Sequence, residues 1–364
     1  MKKVAIVQRH LADYRVKFYN ILGEILNDNN IELKVFGGNA SLDEGYKDGL
    51  EAIKYAQRVK NYNFGKKFYW QNIYQDLKKY DLIIIEQSNS AILNYQIFFT
   101  KLILKKKCKV AFWGHGKVLH KKDSFISKRI REFFINKVDY WFGYTEITKK
   151  ILNDNNVSDK KITIVNNSID FSYVSNARKN KVKIDNDYRT LIFCSRLYKN
   201  KAINFLIDGC EIVKKSIPKL KLVIIGDGPE KKMLNTLTKN KSWIEVKGAL
   251  YGQEKARNLV IGDLMLLPSH VGLSILDGFA AGLPIVVSDF KNHCPEISYF
   301  ENNVNGIMTK KNLNDFSEKI IFLLSNSKIL QSMKQEAIKT SKKYTVEIMA
   351  KNFAQGIINN LKDY

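Results

Sequence analysis

The chain has 364 residues, with 60 Lys and Arg against 36 Asp and Glu, for a formal net charge of +24. This length exceeds one ordinary core and suits two domains; 45% hydrophobic and 12% aromatic residues with only 5 Pro and 20 Gly exclude a disordered chain. Four separated cysteines, Cys108, Cys194, Cys210 and Cys294, form no CxxC pair, which argues against a zinc ligand set or a secreted disulfide framework and fits a reducing cytoplasm.

The opening MKKVAIVQRH holds a four-residue apolar run, too short for a signal peptide, and no stretch approaches transmembrane length. Any membrane contact is therefore expected from the surface. Apolar runs predict strands at Val4 to Val7, Ile31 to Phe36, Leu82 to Ile85, Val110 to Trp113, Tyr140 to Tyr144 and Ile162 to Val165. Between the first two, Phe18, Ile21, Leu22, Ile25 and Leu26 mark one face of a helix. Short, nearly continuous apolar strands separated by helices imply a parallel sheet covered on both faces.

The polar stretch 171–186 reads as a linker between a first domain, 1–170, and a second, 187–344. Strands are predicted there at Leu191 to Cys194, Leu220 to Ile225, Ile244 to Val246, Leu264 to Leu267 and Ile285 to Val287, with a helix face at Ile203, Leu206, Ile207, Cys210 and Val213. Residues 345–364 read as a closing helix. The fold class is α/β, two Rossmann-like domains in tandem, whose ligands are expected beyond the carboxyl ends of the strands and across a shared cleft.

Positive charge concentrates in residues 54–150, with 21 basic against 7 acidic residues, and is densest over 101–137, with 12 against two. Such a patch suits anionic lipid, a phosphorylated acceptor or nucleic acid, or else consists of solvated helix faces. No nucleic-acid recognition motif accompanies it, so nucleic acid is not expected as a partner. In 125–134, Phe125, Ile126, Ile130, Phe133 and Phe134 interleave with Lys128, Arg129 and Arg131, a stripe that suits core or membrane.

Gln8-Arg9-His10 follows the first strand, where a dehydrogenase would carry GxGxxG. Ser195-Arg196-Leu197-Tyr198-Lys199-Asn200-Lys201 stands where a strand yields to a helix; two cations beside a helix N-terminus outline a pyrophosphate site. Gly226-x-Gly228 ends another strand, and Pro268 to Pro284 (PSHVGLSILDGFAAGLP) turns at Gly272 into a helix. Amides near Gly272 and Leu273 would face an anion, with Asp277 one turn inside and within reach of ribose hydroxyls.

Together Arg196 to Lys201, IGDGP, GLSILDGFAAGLPIV, His293-Cys294-Pro295-Glu296 and Asn305-Gly306, with Trp113-Gly114-His115-Gly116, Asn167-Ser168-Ile169-Asp170 and Tyr14-Arg15 in the first half, resemble the retaining, GT-B-fold glycosyltransferases of the glycogen-synthase-like class, family four. The resemblance implies two Rossmann-like domains facing across a cleft and a closing helix that crosses back to the first domain. It implies that Arg196 and Lys201 bind the donor diphosphate, and that His115 contacts the transferred sugar, these three being catalytic. By the same resemblance Asp277 holds the ribose, while Gly226, Gly228, Val246 and Lys247 lie near the base. Ser269 occupies the place of the first acid of the family's E-x7-E pair, so Ser269 or His270 takes its sugar contact; Gly272, Leu273 and Ser274 complete the donor site. The glycine after the phosphate lysine is Ala202. His10, Tyr14, Arg15 and Glu86 are expected to meet the acceptor.

The expected activity is retaining transfer of a hexosyl or N-acetylhexosaminyl unit from a nucleotide diphosphate donor, UDP-linked, to a glycan or lipid-linked acceptor in cell-surface polysaccharide, lipopolysaccharide or capsule synthesis. The enzyme would be cytoplasmic, with peripheral membrane contact through 101–137. No metal or other cofactor is expected, because cations and helix amides neutralise the diphosphate. The rivals are a nucleotide-sugar epimerase or hydrolase on the same fold, and an inactive nucleotide-sugar-binding partner of a membrane synthase, which the absence of an acid at Ser269 favours.

Overall fold

Every apolar run expected as a strand forms one in the computed structural model, which describes residues 1–39, 47–65, 67–104, 108–116, 125–180, 187–291 and 293–362, without the side chains of 102–104, 125–128 and 131. Within the basic stretch 101–137, residues 105–107 and 117–124 lie outside the described residues, as do the side chains of Phe125, Ile126, Lys128 and Arg131. Contacts divide the chain into a first unit, Met1–Ile169 with Val346–Tyr364, and a second, Asp170–Thr345. Among the described residues no helix is long and apolar enough to cross a membrane.

In chain order the first unit runs β1 (Lys2–His10), α1 (Val16–Asp28), β2 (Ile31–Gly38), β3 (Ala56–Arg58), β4 (Asn61–Phe64), β5 (Phe68–Gln71), α2 (Tyr74–Leu77), β6 (Leu82–Glu86), α3 (Ile92–Leu104), β7 (Lys109–Gly114), α4 (Phe125–Ile135), β8 (Tyr140–Gly143), α5 (Glu146–Asn153) and β9 (Ile162–Ile164). Its parallel sheet has the order β3-β2-β1-β6-β7-β8-β9. Alternation along β1 sends Val4 and Ile6 to one core with Phe18 and Leu22 of α1, and Ala5 and Val7 to another with Phe98, Phe112 and Trp141, as a sheet covered on both faces requires. β4 and β5 form an antiparallel hairpin outside this sheet. No apolar run announced it or β3.

The second unit runs α6 (Ser172–Lys179), β10 (Arg189–Cys194), α7 (Ile203–Ser216), β11 (Leu220–Ile225), α8 (Lys231–Thr238), β12 (Ile244–Gly248), α9 (Gly252–Val260), β13 (Leu264–Leu266), α10 (Ser274–Ala281), β14 (Ile285–Ser288), β15 (Gly306–Thr309), α11 (Leu313–Ser325) and α12 (Ser327–Lys343). The sheet order is β12-β11-β10-β13-β14-β15, all parallel, so the switch point lies between β10 and β13, where an open α/β sheet gathers its ligand loops. The five predicted apolar positions of α7 are all buried. The stretch expected as a linker is corrected in its first half: Ser172–Lys179 is helix α6, with Val174 buried and Arg178 Nε donating to Ala280 O at 2.8 Å. A helix that buries one apolar residue reads as a polar stretch in sequence. Residues 181–186 lie outside the described residues.

α13 (Val346–Lys362) packs in the first unit, as the family resemblance implied. Phe353 stacks on Phe142 at 4.2 Å and 7° and meets Phe18 and Trp113 edge-on at 5.4 and 5.0 Å. Gly356 permits this approach: a Cβ there would lie 2.7 Å from Phe142. Phe353→Ala should lower stability by about 3–5 kcal/mol through the cavity it leaves; urea unfolding followed by circular dichroism measures it, and a loss below about 1 kcal/mol would contradict the packing role.

Candidate functional site

In the second unit, the loops beyond β10, β11, β13 and β14 are joined by specific bonds. Gly226 takes φ +150° and Gly228 φ +154°; a Cβ on the first would lie 1.9 Å from Ser195 O, and on the second 2.7 Å from Leu197 O. Only glycine allows the β11 turn to lie against the Ser195–Leu197 backbone so closely. Leu197 N–H donates to Asp227 O at 2.9 Å and Gly226 N–H to Gly248 O at 2.7 Å, which brings the end of β12, with Val246 and Lys247, beside the same turn. Lys247 is exposed and pairs with Glu245 at 2.7 Å.

Lys201 is 8% exposed, and its ammonium donates to His270 O at 2.6 Å. Burial pulls its pKa down to about 8, since lost hydration disfavours the charged form. Arg196, on the same loop, donates to Tyr198 Oη at 3.4 Å. Two non-glycine residues in left-handed backbone flank the lysine's bond, Ala202 at φ +53° and His270 at φ +49°. Ser269 and His270 are both buried. His270 Nε2 lies 3.4 Å from Cys294 Sγ, and Cys294 N–H donates to Val271 O at 2.9 Å. His293 locks the same turn: Val271 N–H donates to its Nδ1 at 3.2 Å and its Nε2–H donates to Ser288 O at 2.9 Å. Burial lowers its pKa, which keeps the ring neutral in this tautomer.

Neither α7 nor α10 has a side-chain cap at its N-terminus; Ala202 and Leu273 stand there. First-turn amides without a side-chain cap are suited to an anion. Gly272, Leu273 and Ser274 form the entry to α10, and a Cβ on Gly272 would meet no atom nearer than Cys294 Sγ at 3.9 Å, so this glycine leaves open space. Asp277, 4% exposed, is held by a residue the sequence reading did not single out: Lys255 of α9 bonds both carboxylate oxygens at 3.0 Å. One lysine among the chain's many basic residues carries no signal until α9 and α10 are placed together.

In the first unit, His115 follows β7 with its ring 4.1 Å from that of Tyr144, and Gly116 N–H donates to Gln87 Oε1 at 2.8 Å. His10 ends β1 and its Nδ1–H donates to Asn39 O at 2.6 Å. Glu86 ends β6 and accepts from Arg9 N–H at 3.4 Å; Tyr14 N–H donates to Asp13 Oδ1 at 2.8 Å. Arg15 is buried, with its guanidinium donating to Asn167 Oδ1 at 2.5 Å, Ser168 O at 3.3 Å and Met349 Sδ at 3.3 Å, so it ties α13 and the 167–168 loop to the start of α1.

Residues 174–340 match the family described as glycosyl transferases group 1. An alpha-monoglucosyldiacylglycerol synthase of Acholeplasma laidlawii is 30% identical over 211 residues, 53% of this chain and 52% of that protein, so the match spans about half of its length. A glycosyltransferase from Rickettsia africae has the same fold, with TM-score 0.76 at 13% identity over 100% of this chain and 99% of its own. The Anabaena protein HepE, solved with UDP-glucose, has TM-score 0.69 at 14% identity over 98% of this chain and 100% of its own. These likenesses establish the GT-B fold. Ala202→Gly should raise stability by about 0.5–1 kcal/mol, the left-handed penalty less the entropy that glycine costs; chemical denaturation checks it, and a destabilised variant would contradict the strain assigned to Ala202.

Proposed function

We propose that this chain, whose residues 174–340 match the glycosyl transferases group 1, transfers a sugar from a nucleotide diphosphate donor, UDP-linked, with retention at the anomeric carbon. The observation that carries the reading is Lys201, an ammonium 8% exposed in the turn between β10 and α7, with a backbone carbonyl as its partner. Transfer from a nucleotide diphosphate leaves charge on the departing phosphate, and a cation fixed in a dry site stabilises that charge without reorganising. Arg196 and the uncapped starts of α7 and α10 supply further donors. Asp277, held by Lys255, takes the ribose hydroxyls; Gly226, Gly228, Val246 and Lys247 border the base; Ser269 and His270 stand in the sugar position. UDP-glucose in the HepE structure supports UDP as the nucleotide.

No carboxylate stands at Ser269 to act as a nucleophile, so we assign front-face substitution, in which the leaving diphosphate accepts the acceptor's proton. The first unit takes the acceptor near His10, Tyr14, Arg15 and Glu86, and His115 contacts the transferred sugar. The acceptor is a lipid-linked or glycan hydroxyl, met by a peripheral protein on the inner face of the cell membrane, a reading supported by the Acholeplasma relative, which is named as an alpha-monoglucosyldiacylglycerol synthase. Absence of the acid at Ser269 also favours a second reading, an inactive nucleotide-sugar-binding partner. Incubation with donor and acceptor separates the two, and turnover of donor without acceptor would point instead to an epimerase or hydrolase.

Lys201→Ala should lower kcat on the order of 10²–10³-fold, with the protein still folded by circular dichroism. Unchanged transfer by the folded variant would remove the phosphate assignment. Because Lys201 titrates at about 8, kcat/KM should fall as pH rises through that value and the ammonium is lost. A flat profile between about pH 7 and about pH 9.5 would contradict the role of its charge.

A further inference from the structure

The β4–β5 hairpin serves neither the sheet nor the site described above. Its register pairs Tyr62 with Trp70 and Phe64 with Phe68, while Asn61 pairs with Gln71 and Asn63 with Tyr69. Because side chains alternate and cross-strand partners share a face, Tyr62, Trp70, Phe64 and Phe68 form one aromatic face. The opposite face is the anchored one. Tyr69 and Gln71 are buried there; Gln71 Nε2 donates to Gln8 O at 3.0 Å and Asn61 Nδ2 to Arg9 O at 2.9 Å, both at the end of β1. Tyr69 N–H adds a bond to Ser90 O at 3.0 Å, and Arg9 lies over the Tyr69 ring at 4.9 Å.

The aromatic face runs from Trp70, packed against the first unit's core, out to solvent: Tyr62 is 40% exposed, Phe68 39% and Phe64 54%. Tyr62 and Trp70 pack with ring centroids 5.7 Å apart. Lys60 Nζ lies 5.0 Å from the Tyr62 ring and Lys67 Nζ 5.3 Å from the Phe68 ring. Over 59–71 the sequence holds three lysines, five aromatic residues and no acid. Exposed rings beside lysines, with no carboxylate among them, match the headgroup layer of an anionic bilayer, which accepts aromatic bodies at the acyl boundary and attracts each cation.

We propose that the hairpin Asn61–Gln71 is a foot that seats the first unit on anionic lipid, with Phe64 and Phe68 entering the interface and Lys60 and Lys67 meeting lipid phosphates. This proposal does not depend on the donor assignment.

Sedimentation with sucrose-loaded vesicles of equal parts phosphatidylcholine and phosphatidylglycerol tests it. The protein should sediment with these vesicles and stay in solution with phosphatidylcholine alone. Phe64→Ser/Phe68→Ser should weaken binding by about tenfold or more, and Lys60→Gln/Lys67→Gln should weaken it and flatten its salt dependence. Both variants should keep the thermal shift that UDP gives the wild type, which separates failure of the foot from failure of the donor reading. Wild-type protein that ignores anionic vesicles, or a folded double phenylalanine variant that binds them as tightly, would overturn the proposal. So would a dimer in analytical ultracentrifugation that the phenylalanine variant dissolves, since the face would then be covered by a second copy.

Discussion

The second unit's site depends on the burial of one cation. Lys201 has lost most of its hydration, and the bond to His270 O at 2.6 Å returns only part of what water would give an ammonium. A group in that condition gains strongly from an anion brought beside it, more than an exposed lysine would, because screening is weak there. The backbone around it is held against local preference. Ala202 follows the lysine and His270 supplies its carbonyl, and both take left-handed conformations that cost non-glycine residues of order 1–3 kcal/mol each. His293 braces the second of these turns through both ring nitrogens.

The same logic orders the rest of the unit. Parallel strands place all their carboxyl ends on one edge, so loops far apart in sequence meet at the switch point between β10 and β13. Glycines at 226 and 228 remove the Cβ atoms that would hold the β11 turn away from Ser195 and Leu197. Lys255 neutralises Asp277 inside the fold, where an unpaired carboxylate would be costly. The proposed ribose contact is therefore made by an ion pair, and the aspartate's position is fixed from α9 as well as α10. In the first unit the corresponding strand ends carry His10, Glu86 and His115, and the hairpin is anchored to the end of β1.

Much of this was legible in the sequence because parallel strands buried on both faces must be apolar throughout; Val4 to Val7 and Leu220 to Ile225 could hardly read otherwise. The i, i+3, i+4 spacing of α1 and α7 was equally plain, since each buries one stripe. What escaped notice shares a physical cause. β4 alternates Asn with aromatic residues and β5 is only a four-residue Phe-Tyr-Trp-Gln segment buried at every second position, so no long buried apolar run marks them. α6 buries only Val174, so its sequence reads as a polar linker. Arg15 stands out in the sequence, yet its bonds reach Asn167, Ser168 and Met349, the last 334 positions away, and sequence pattern carries no information about such pairings. Lys255 became visible only as the partner of Asp277.

The claim that Lys201 reads the donor's diphosphate is tested most directly by calorimetric titration with UDP at about pH 8 in buffers of differing ionisation enthalpy. A buried ammonium that titrates at about 8 when free must become more fully protonated when a diphosphate binds beside it. The observed enthalpy should therefore vary with the buffer and report net uptake of a fraction of a proton per UDP bound. Binding whose enthalpy is the same in every buffer, or saturating nucleotide that leaves the protein unbound, would contradict it.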